Sequence, residues 1–278
     1  MKKKDLVSVI ITTKNEDDVI KKLLQSINNQ TYKKVEVILV DNNSEDNTIK
    51  IASKFKGVKI YNWGPERSAQ RNYGVRKSFG EFLLFLDADM RLSPKVVESC
   101  VKATKSKKNI GSVVIPEQSE AYIFWEKVKA FERSFYNEKG DSITDAARFF
   151  KKKVFEVAGG YDETITGPED WDLPETIREL GYKDGRISEK IYHRERAAAL
   201  VTLFVKKFYY GLYADRYLKK HNISIISPKT VYFLRPLFYK SWKRLLLHPL
   251  LALGMIMMLI TQTLGGGLGY LIGRIRNL

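Results

Sequence analysis

The chain of 278 residues carries 48 Lys and Arg against 32 Asp and Glu, a formal net charge of +16, and 44% of its residues are hydrophobic. That apolar content excludes a chain disordered throughout, and 29% charged residues exclude one wholly embedded in a membrane. Cys100 is the only cysteine, so no internal disulfide and no multi-cysteine metal site can form, and a reducing compartment is the simple reading.

Lys2, Lys3 and Lys4 imitate a basic leader, but the apolar stretch LVSVIITT ends at once in KNEDD. It is too short for a secretory signal and has no small-residue cleavage site, so the main domain is expected in the cytoplasm. Leu6–Thr12, Val35–Val40 and Glu81–Leu86 are short apolar runs without clean alternation, the pattern of strands buried on both faces. Between the first two, DVIKKLLQSINNQ sets Val19, Leu23, Leu24 and Ile27 at helical spacing. NSEDNTIKIASKF starts another helix, with Ser44 or Asp46 as cap. Val58–Tyr61 reads as a fourth strand, and RSAQRNYGVRKSFG as a helix ending at Gly80. Strands alternating with helices predict an α/β fold with a mostly parallel sheet. Ligands of such sheets bind at the carboxyl ends of the strands.

Those ends are polar. The first run leads into Thr13, Lys14, Asn15 and Glu16, the second into Asp41, Asn42, Asn43 and Ser44, and the third into Asp87, Ala88 and Asp89. A single acid after a strand is usually a helix cap; three acidic clusters at three strand ends are harder to read that way. Asp87 and Asp89 leave the apolar run FLLFL directly, and carboxylates there need a cation or donors. Oxygen ligands without thiols suit Mg²⁺ or Mn²⁺, and a hard cation on this fold points to a diphosphate.

Further along, Gly167, Pro168, Glu169 and Asp170 form a turn before a helix beginning near Trp171. Taken alone, these acids are explained as well by the helix dipole as by chemistry. His193 in KIYHRE ends a short strand; a lone histidine is usually structural or exposed. Leu200–Lys220 reads as an aromatic, basic, amphipathic helix, suited to packing on the catalytic domain or to a membrane surface. KTVYFLRPLFYKSWKRLLLHP repeats that composition, with Trp242 and several Tyr suited to an interface.

From Val201 to the end, twelve Lys and Arg face a single acid, Asp215. So lopsided a tail calls for nucleic acid or anionic headgroups. The 29 residues Leu245–Gly273, free of Lys, Arg, Asp and Glu, decide for the membrane, since roughly 20 apolar residues span a bilayer core. Lys240, Lys243 and Arg244 crowd the entry to this run, and Arg274 and Arg276 follow its exit. Gly265, Gly266 and Gly267 interrupt it, which leaves a kinked span or a re-entrant hairpin open beside a single span.

VSVIITTKNE, VILVDNNSEDNT, RNYGVRKSFGEFLLFLDAD and GGYDETITGPEDWDL, in that order over roughly residues 5–195, resemble the successive signatures of family 2 glycosyltransferases with the GT-A fold. The resemblance implies a Rossmann-like nucleotide-sugar domain and an inverting transfer that uses Mg²⁺ or Mn²⁺. By the same carry-over, Thr12, Lys14, Glu16, Asp41 and Asn43 belong to the nucleotide site together with Arg71, Asn72 and Asp87. Asp87 and Asp89 match the family's DxD, and His193 would complete the metal shell. Asp170 matches the general base, with Glu169 and Arg148 on the acceptor side. Thr12 stands where proline is common and Lys14 where tyrosine is common, so uracil and guanine both stay open as the base.

The expected organisation is a catalytic domain over 1–199, with a nucleotide-sugar half at 1–90 and an acceptor half at 91–199. Basic interfacial helices follow at 200–247, then a transmembrane or re-entrant segment at 248–273. The expected partners are a UDP- or GDP-sugar, a lipid-linked acceptor and an anionic cell membrane, with the catalytic domain cytoplasmic and no nucleic acid bound. The rival is a polyprenyl-phosphate glycosyl synthase, whose phosphate acceptor needs little base catalysis. A processive synthase lacks support because the QxxRW motif is absent, and a sugar nucleotidyltransferase because no glycine-rich N-terminal loop is present. A basic nucleic-acid-binding protein would suit the charge but not the DxD or the uncharged run.

Overall fold

The computed structural model describes residues 3–137, 140–141, 143, 145–196 and 199–276; Lys2 of the leader-like start lies outside them. The chain divides into two compact units. The first comprises Met1–Glu117, Ala146–Glu163 and Glu169–His193; the second comprises Gln118–Asp145, Thr164–Pro168 and Arg194–Leu278.

The first unit is built on β1 (Lys3–Thr13), β2 (Val35–Asp41), β3 (Val58–Asn62), β4 (Gly80–Asp87), β5 (Met90–Leu92) and β6 (Ile110–Val114). After β7 (Glu117–Glu120) come β8 (Ala147–Lys151), β9 (Lys183–Arg186) and β10 (Ile191–Arg194). The main sheet has the order β3-β2-β1-β4-β8-β6-β9. β1 to β4 run parallel, and β8 is antiparallel to both its neighbours. The helices of this unit are α1 (Ile20–Asn28), α2 (Thr48–Ala52), α3 (Arg67–Arg76), α4 (Val96–Ser106), α6 (Lys152–Val157) and α7 (Glu169–Glu179).

The apolar runs do form the central strands, because both faces of the sheet are covered. Val9, Ile11, Leu39, Leu84 and Leu86 pack with α1 and α4 on one face. Ile10, Ile38, Val40, Leu83 and Phe85 pack with Phe150, Phe155 and Tyr161 on the other. Burying each such side chain contributes about 1.5–3 kcal/mol. The register sets Thr12 beside Asp87 and Thr13 beside Asp41, so the polar strand ends line up in one row. One boundary is corrected: α3 stops at Arg76, and Gly80 opens β4 instead of closing the helix. A shorter antiparallel ladder pairs β5 with β10, His193 opposite Met90.

The second unit is helical: α5 (Phe124–Asn137), α8 (Leu200–Leu212), α9 (Ala214–Lys220), α10 (Pro236–Lys240), α11 (Trp242–Leu247) and α12 (Pro249–Arg276). Leu200–Lys220 is two helices divided at Tyr213, not one. α12 runs unbroken for 28 residues, roughly 42 Å at about 1.5 Å per residue; of the alternatives left open by the glycine run, the chain takes one continuous helix. Gly265, Gly269 and Gly273 recur every fourth residue and seat the backbone of α8 at Phe204, Phe208 and Leu212. A Cβ on any of the three would fall within 3.0 Å of that backbone, so these glycines make a close helix contact, not a break. Another part of α12 gives Met255, Met258 and Leu259 to a core with Val128, Phe131 and Phe135 of α5. Its remaining face is exposed and apolar, with Leu250, Leu253, Ile260, Leu264 and Leu271 on it. By length and composition α12 can cross a membrane.

Candidate active site

The carboxyl end of the main sheet in the first unit holds a continuous series of alternating charges. Arg71, on α3 and 1% exposed, gives one guanidinium nitrogen to Asp170 Oδ1 at 2.6 Å and the other to Asp87 Oδ1 at 3.1 Å. Asp87 Oδ2 accepts from Arg148 Nη1 at 3.4 Å, and Arg148 Nε donates to Glu117 Oε1 at 2.6 Å. The other oxygen of Glu117 lies 3.0 Å from His193 Nδ1, and His193 Nε2 lies 3.4 Å from Asp89 Oδ2. The series thus runs Asp170, Arg71, Asp87, Arg148, Glu117, His193, Asp89.

Each member is positioned by local structure. Asp87 ends β4, and Asp89 sits in the turn to β5. The β5–β10 ladder brings His193 to that turn. Asp170 lies in the first turn of α7, and its neighbour Glu169, 4% exposed, pairs with Arg67 at 2.8 Å. Phe85 packs edge-on against Tyr161, and the Arg71 guanidinium lies 5.0 Å above the Tyr161 ring, so β4 supports the central arginine from beneath. Asn72 closes on the GGYDE turn, donating to the Tyr161 carbonyl at 2.8 Å and to Glu163 at 2.9 Å. Gly160 has φ +76°, open to glycine at low cost, and a Cβ there would press on Asn72 and Phe155.

Burial alone would raise the pKa of Asp87 and of Asp170, but Arg71 and Arg148 outweigh it and hold both carboxyls below the usual range. Burial would likewise lower both arginines, yet the facing carboxylates keep them raised and charged. With His193 neutral, four carboxylates meet two guanidinium groups, leaving two negative charges in the series. Asp89 Oδ1 is buried and has no hydrogen-bond partner. An orphaned buried carboxylate oxygen, beside an imidazole in a site short of two positive charges, fits a hard divalent cation. Among the described residues no three His, Cys, Asp or Glu side chains already converge as a shell.

The site residues expected from sequence fall into three groups. Asp170, Arg71, Asp87, Arg148, His193 and Asp89 stand in the series. Thr12 joins it, its hydroxyl 3.5 Å from Asp87 Oδ1. Asp41 is engaged locally: it accepts from Thr13 Oγ1 at 2.8 Å and from the Ser44 hydroxyl at 2.5 Å and backbone N–H at 2.7 Å. Asn43, at φ +51°, accepts from Asn62, and the Glu16 backbone N–H donates to Thr48, while Lys14 is exposed. Asn72 and Glu169 are held in structural pairings.

Sequence reasoning missed Glu117, Tyr161 and Arg67. Glu117 follows β6 by three residues, so the strand-end rule applied to the other acids would have found it. Arg67 opens α3, where the helix dipole disfavours a cation, and that misfit signals a nearby carboxylate. Tyr161 carried no signal beyond lying in GGYDE.

This fold and these boxes define a glycosyltransferase. Residues 8–158 match the profile of Glycosyl transferase family 2, and the chain belongs to that family, with the GT-A fold. An uncharacterized glycosyltransferase of Haemophilus influenzae is 27% identical over 69% of this chain and 70% of its own length. The UDP-Glc:alpha-D-GlcNAc-diphosphoundecaprenol beta-1,3-glucosyltransferase of Escherichia coli is 35% identical, but over only 31% of this chain and 36% of its own length. The solved mannosyltransferase of Pyrobaculum calidifontis, in complex with GDP-Man and Mn²⁺, superposes with a TM-score of 0.64 over 94% of this chain and 86% of that one, at 16% identity.

Proposed function

We propose that the protein is an inverting, metal-dependent transferase that moves a sugar from a UDP- or GDP-sugar to a hydroxyl of a lipid-linked acceptor at the cytoplasmic face of the cell membrane. The observation that carries this reading is the charge series itself, with a carboxylate on a helix start at one end and, at the other, Asp89 beside His193 with its Oδ1 buried and without a hydrogen-bond partner. Asp89 and His193 would hold Mg²⁺ or Mn²⁺, with Asp87 beside them. The bound ion supplies a positive charge to the departing diphosphate. Asp170, ionised at neutral pH by its contact with Arg71, accepts the proton of the attacking hydroxyl. Attack from the face opposite the leaving group inverts the anomeric centre. Arg71 and Arg148 fix Asp87 and add positive charge around the site. The name of the Escherichia coli relative supports a lipid-diphosphate acceptor and a UDP donor, and the archaeal structure supports Mn²⁺ and a GDP donor as the other choice. The exposed apolar face of α12 supports the membrane.

The Arg71–Asp170 contact also favours a second reading. A carboxylate held this low is a weak base, which suits a phosphate acceptor that arrives ionised, as in a polyprenyl-phosphate glycosyl synthase.

The test is a panel of UDP- and GDP-sugars scored by thermal shift of the full chain, with and without Mn²⁺. One donor should raise the melting temperature only with Mn²⁺ present, and Asp89→Ala should abolish that shift without changing the unliganded melting temperature by more than a few degrees. Undiminished Mn²⁺-dependent binding by Asp89→Ala would remove Asp89 from the metal site.

A further inference from the structure

Among the described residues, α12 meets protein along one face, and does so over most of its length. Gly254, Met258, Gly265, Gly269 and Gly273 follow one another at four or seven residues, so they share one side of the helix. A Cβ on Gly254 would meet Val128 and Phe124 of α5, Met258 packs in one core with Val128 and Phe131, and the last three glycines seat α8. Leu253, Met257, Ile260, Leu264, Leu268 and Leu271, three or four residues apart, lie on the opposite side and are 44% to 58% exposed. α12 is thus an apolar ridge with helices on its back, and the ridge runs from one end of it to the other.

Two observations decide how such a ridge meets a bilayer. One is depth. Lys206 and Lys207 of α8 lie between Phe204 and Phe208, which seat against Gly265 and Gly269, so both lysines flank the middle of α12. In an upright span their backbone would lie about 5 Å from the bilayer centre, at about 1.5 Å per residue. Lys206, two residues from each phenylalanine, is on the far side of α8 and exposed; an exposed ammonium at that depth is costly. The other observation is charge at the ends. Lys240 and Lys243 precede α12, and Arg274 and Arg276 close it, all four exposed. A spanning helix keeps its cations mainly on the cytoplasmic side, whereas cations at both ends fit a single anionic surface beneath the whole helix. Tyr239 and Trp242, 64% and 54% exposed, suit the same headgroup level.

We infer that α12 lies along one anionic leaflet, with its exposed face in the boundary between headgroups and acyl chains, and does not cross to the other side. α5 and α8 ride on its back, which leaves Lys206 in water. This rests on the membrane association of the preceding section and specifies its geometry as one leaflet, not two. Charge complementarity selects the occupant: from Val201 onward twelve Lys and Arg stand against one acid, and each cation close to anionic headgroups adds to the apolar contact.

The test uses the full chain bearing Cys100→Ala, with Leu253→Cys, Ile260→Cys or Leu271→Cys labelled by a fluorophore. The vesicles are phosphatidylcholine and phosphatidylglycerol with brominated acyl chains, which quench according to depth. The three probes should report one common depth. A crossing helix would instead set the Ile260→Cys probe about 10 Å deeper than the other two, at about 1.5 Å per residue. Should a labelled variant fail to fold, Lys240→Cys and Arg276→Cys give the answer in sealed inverted membrane vesicles: both should react with an impermeant maleimide before detergent is added. A deeper Ile260→Cys probe, or one end protected until detergent is added, overturns the in-plane helix and leaves the membrane reading standing. Absence of quenching at all three positions, with the chain recovered off the vesicles, overturns both, and a dimer in that fraction gives the apolar face to a second copy of the chain.

Discussion

β4 and α12 are the most apolar elements of their units, and they treat their side chains in opposite ways. Phe82 to Leu86 of β4 are all at most 1% exposed, whereas Leu250, Leu264 and Leu271 of α12 are more than half exposed. Two sheets of side chains cover β4, so water drives its burial. α12 spends its tightest contact on glycines against α8 and turns its leucines outward. Close packing through small residues with large apolar ones outside is the order expected where the surrounding solvent is lipid. The first unit buries its apolar element on both faces, and the second leaves exposed one face of an apolar helix that is long and apolar enough to cross a membrane.

The largest expected effect tests the chemical side of that contrast. Asp170→Asn should slow transfer to a hydroxyl acceptor by about 10²–10⁴-fold, the range for a lost general base, while donor binding and vesicle association stay as in the wild type. A near wild-type transfer rate would shift the acceptor from hydroxyl to phosphate.

Next in size is a pair of truncations of matched kind. Phe85→Ala should cost about 3–5 kcal/mol, read as the loss of denaturant stability of donor binding, because it opens a cavity under Tyr161 and Arg71. Leu264→Ala, on the exposed face of α12, should change stability in detergent by no more than about 0.5 kcal/mol. Comparable losses from both would mean that Leu264 is covered by protein and would end the contrast.

The smallest effect is in pH. Asp170 is held below its ordinary pKa by Arg71, so its pairing stabilises the fold fully above the unfolded value of about 3.9 and loses that contribution as pH falls through the lower folded value. A melting-temperature series should therefore be flat in this contribution from pH 7 to 5 and fall below about pH 4. Asp170→Asn should make that acid limb shallower. An identical limb in wild type and variant would show the pair contributes nothing to stability.

Much of this was legible in the chain. Strand ends could be read because runs such as FLLFL are bounded abruptly by DAD, and burial on both faces leaves no other period to confuse. Asp170 and Arg71 were singled out through ordered boxes, and His193 through its place after the acidic box, not through any geometric cue. What connects them was not legible. The pairing of β5 with β10 joins residues about a hundred positions apart, so nothing near His193 announces Asp89. Gly265 to Gly267 read as an interruption because sequence shows what a glycine permits, not which neighbour needs the space. Likewise the assignment of 118–145 to the helical unit could not be read, since its amphipathic α5 would pack as well on a sheet.

The charge series draws its seven members from positions 71 to 193, across six separate stretches of chain. Segments of the second unit interrupt that span at 118–145 and 164–168. Apart from Arg71–Asp87, its contacts close loops of 31 residues or more, and loop closure costs entropy before any contact returns energy. No fragment ending before β10 contains the whole series. Synthesis must pass His193 before the site can exist, and any partial unfolding that frees β10 takes His193 from Asp89 while the central strands remain paired.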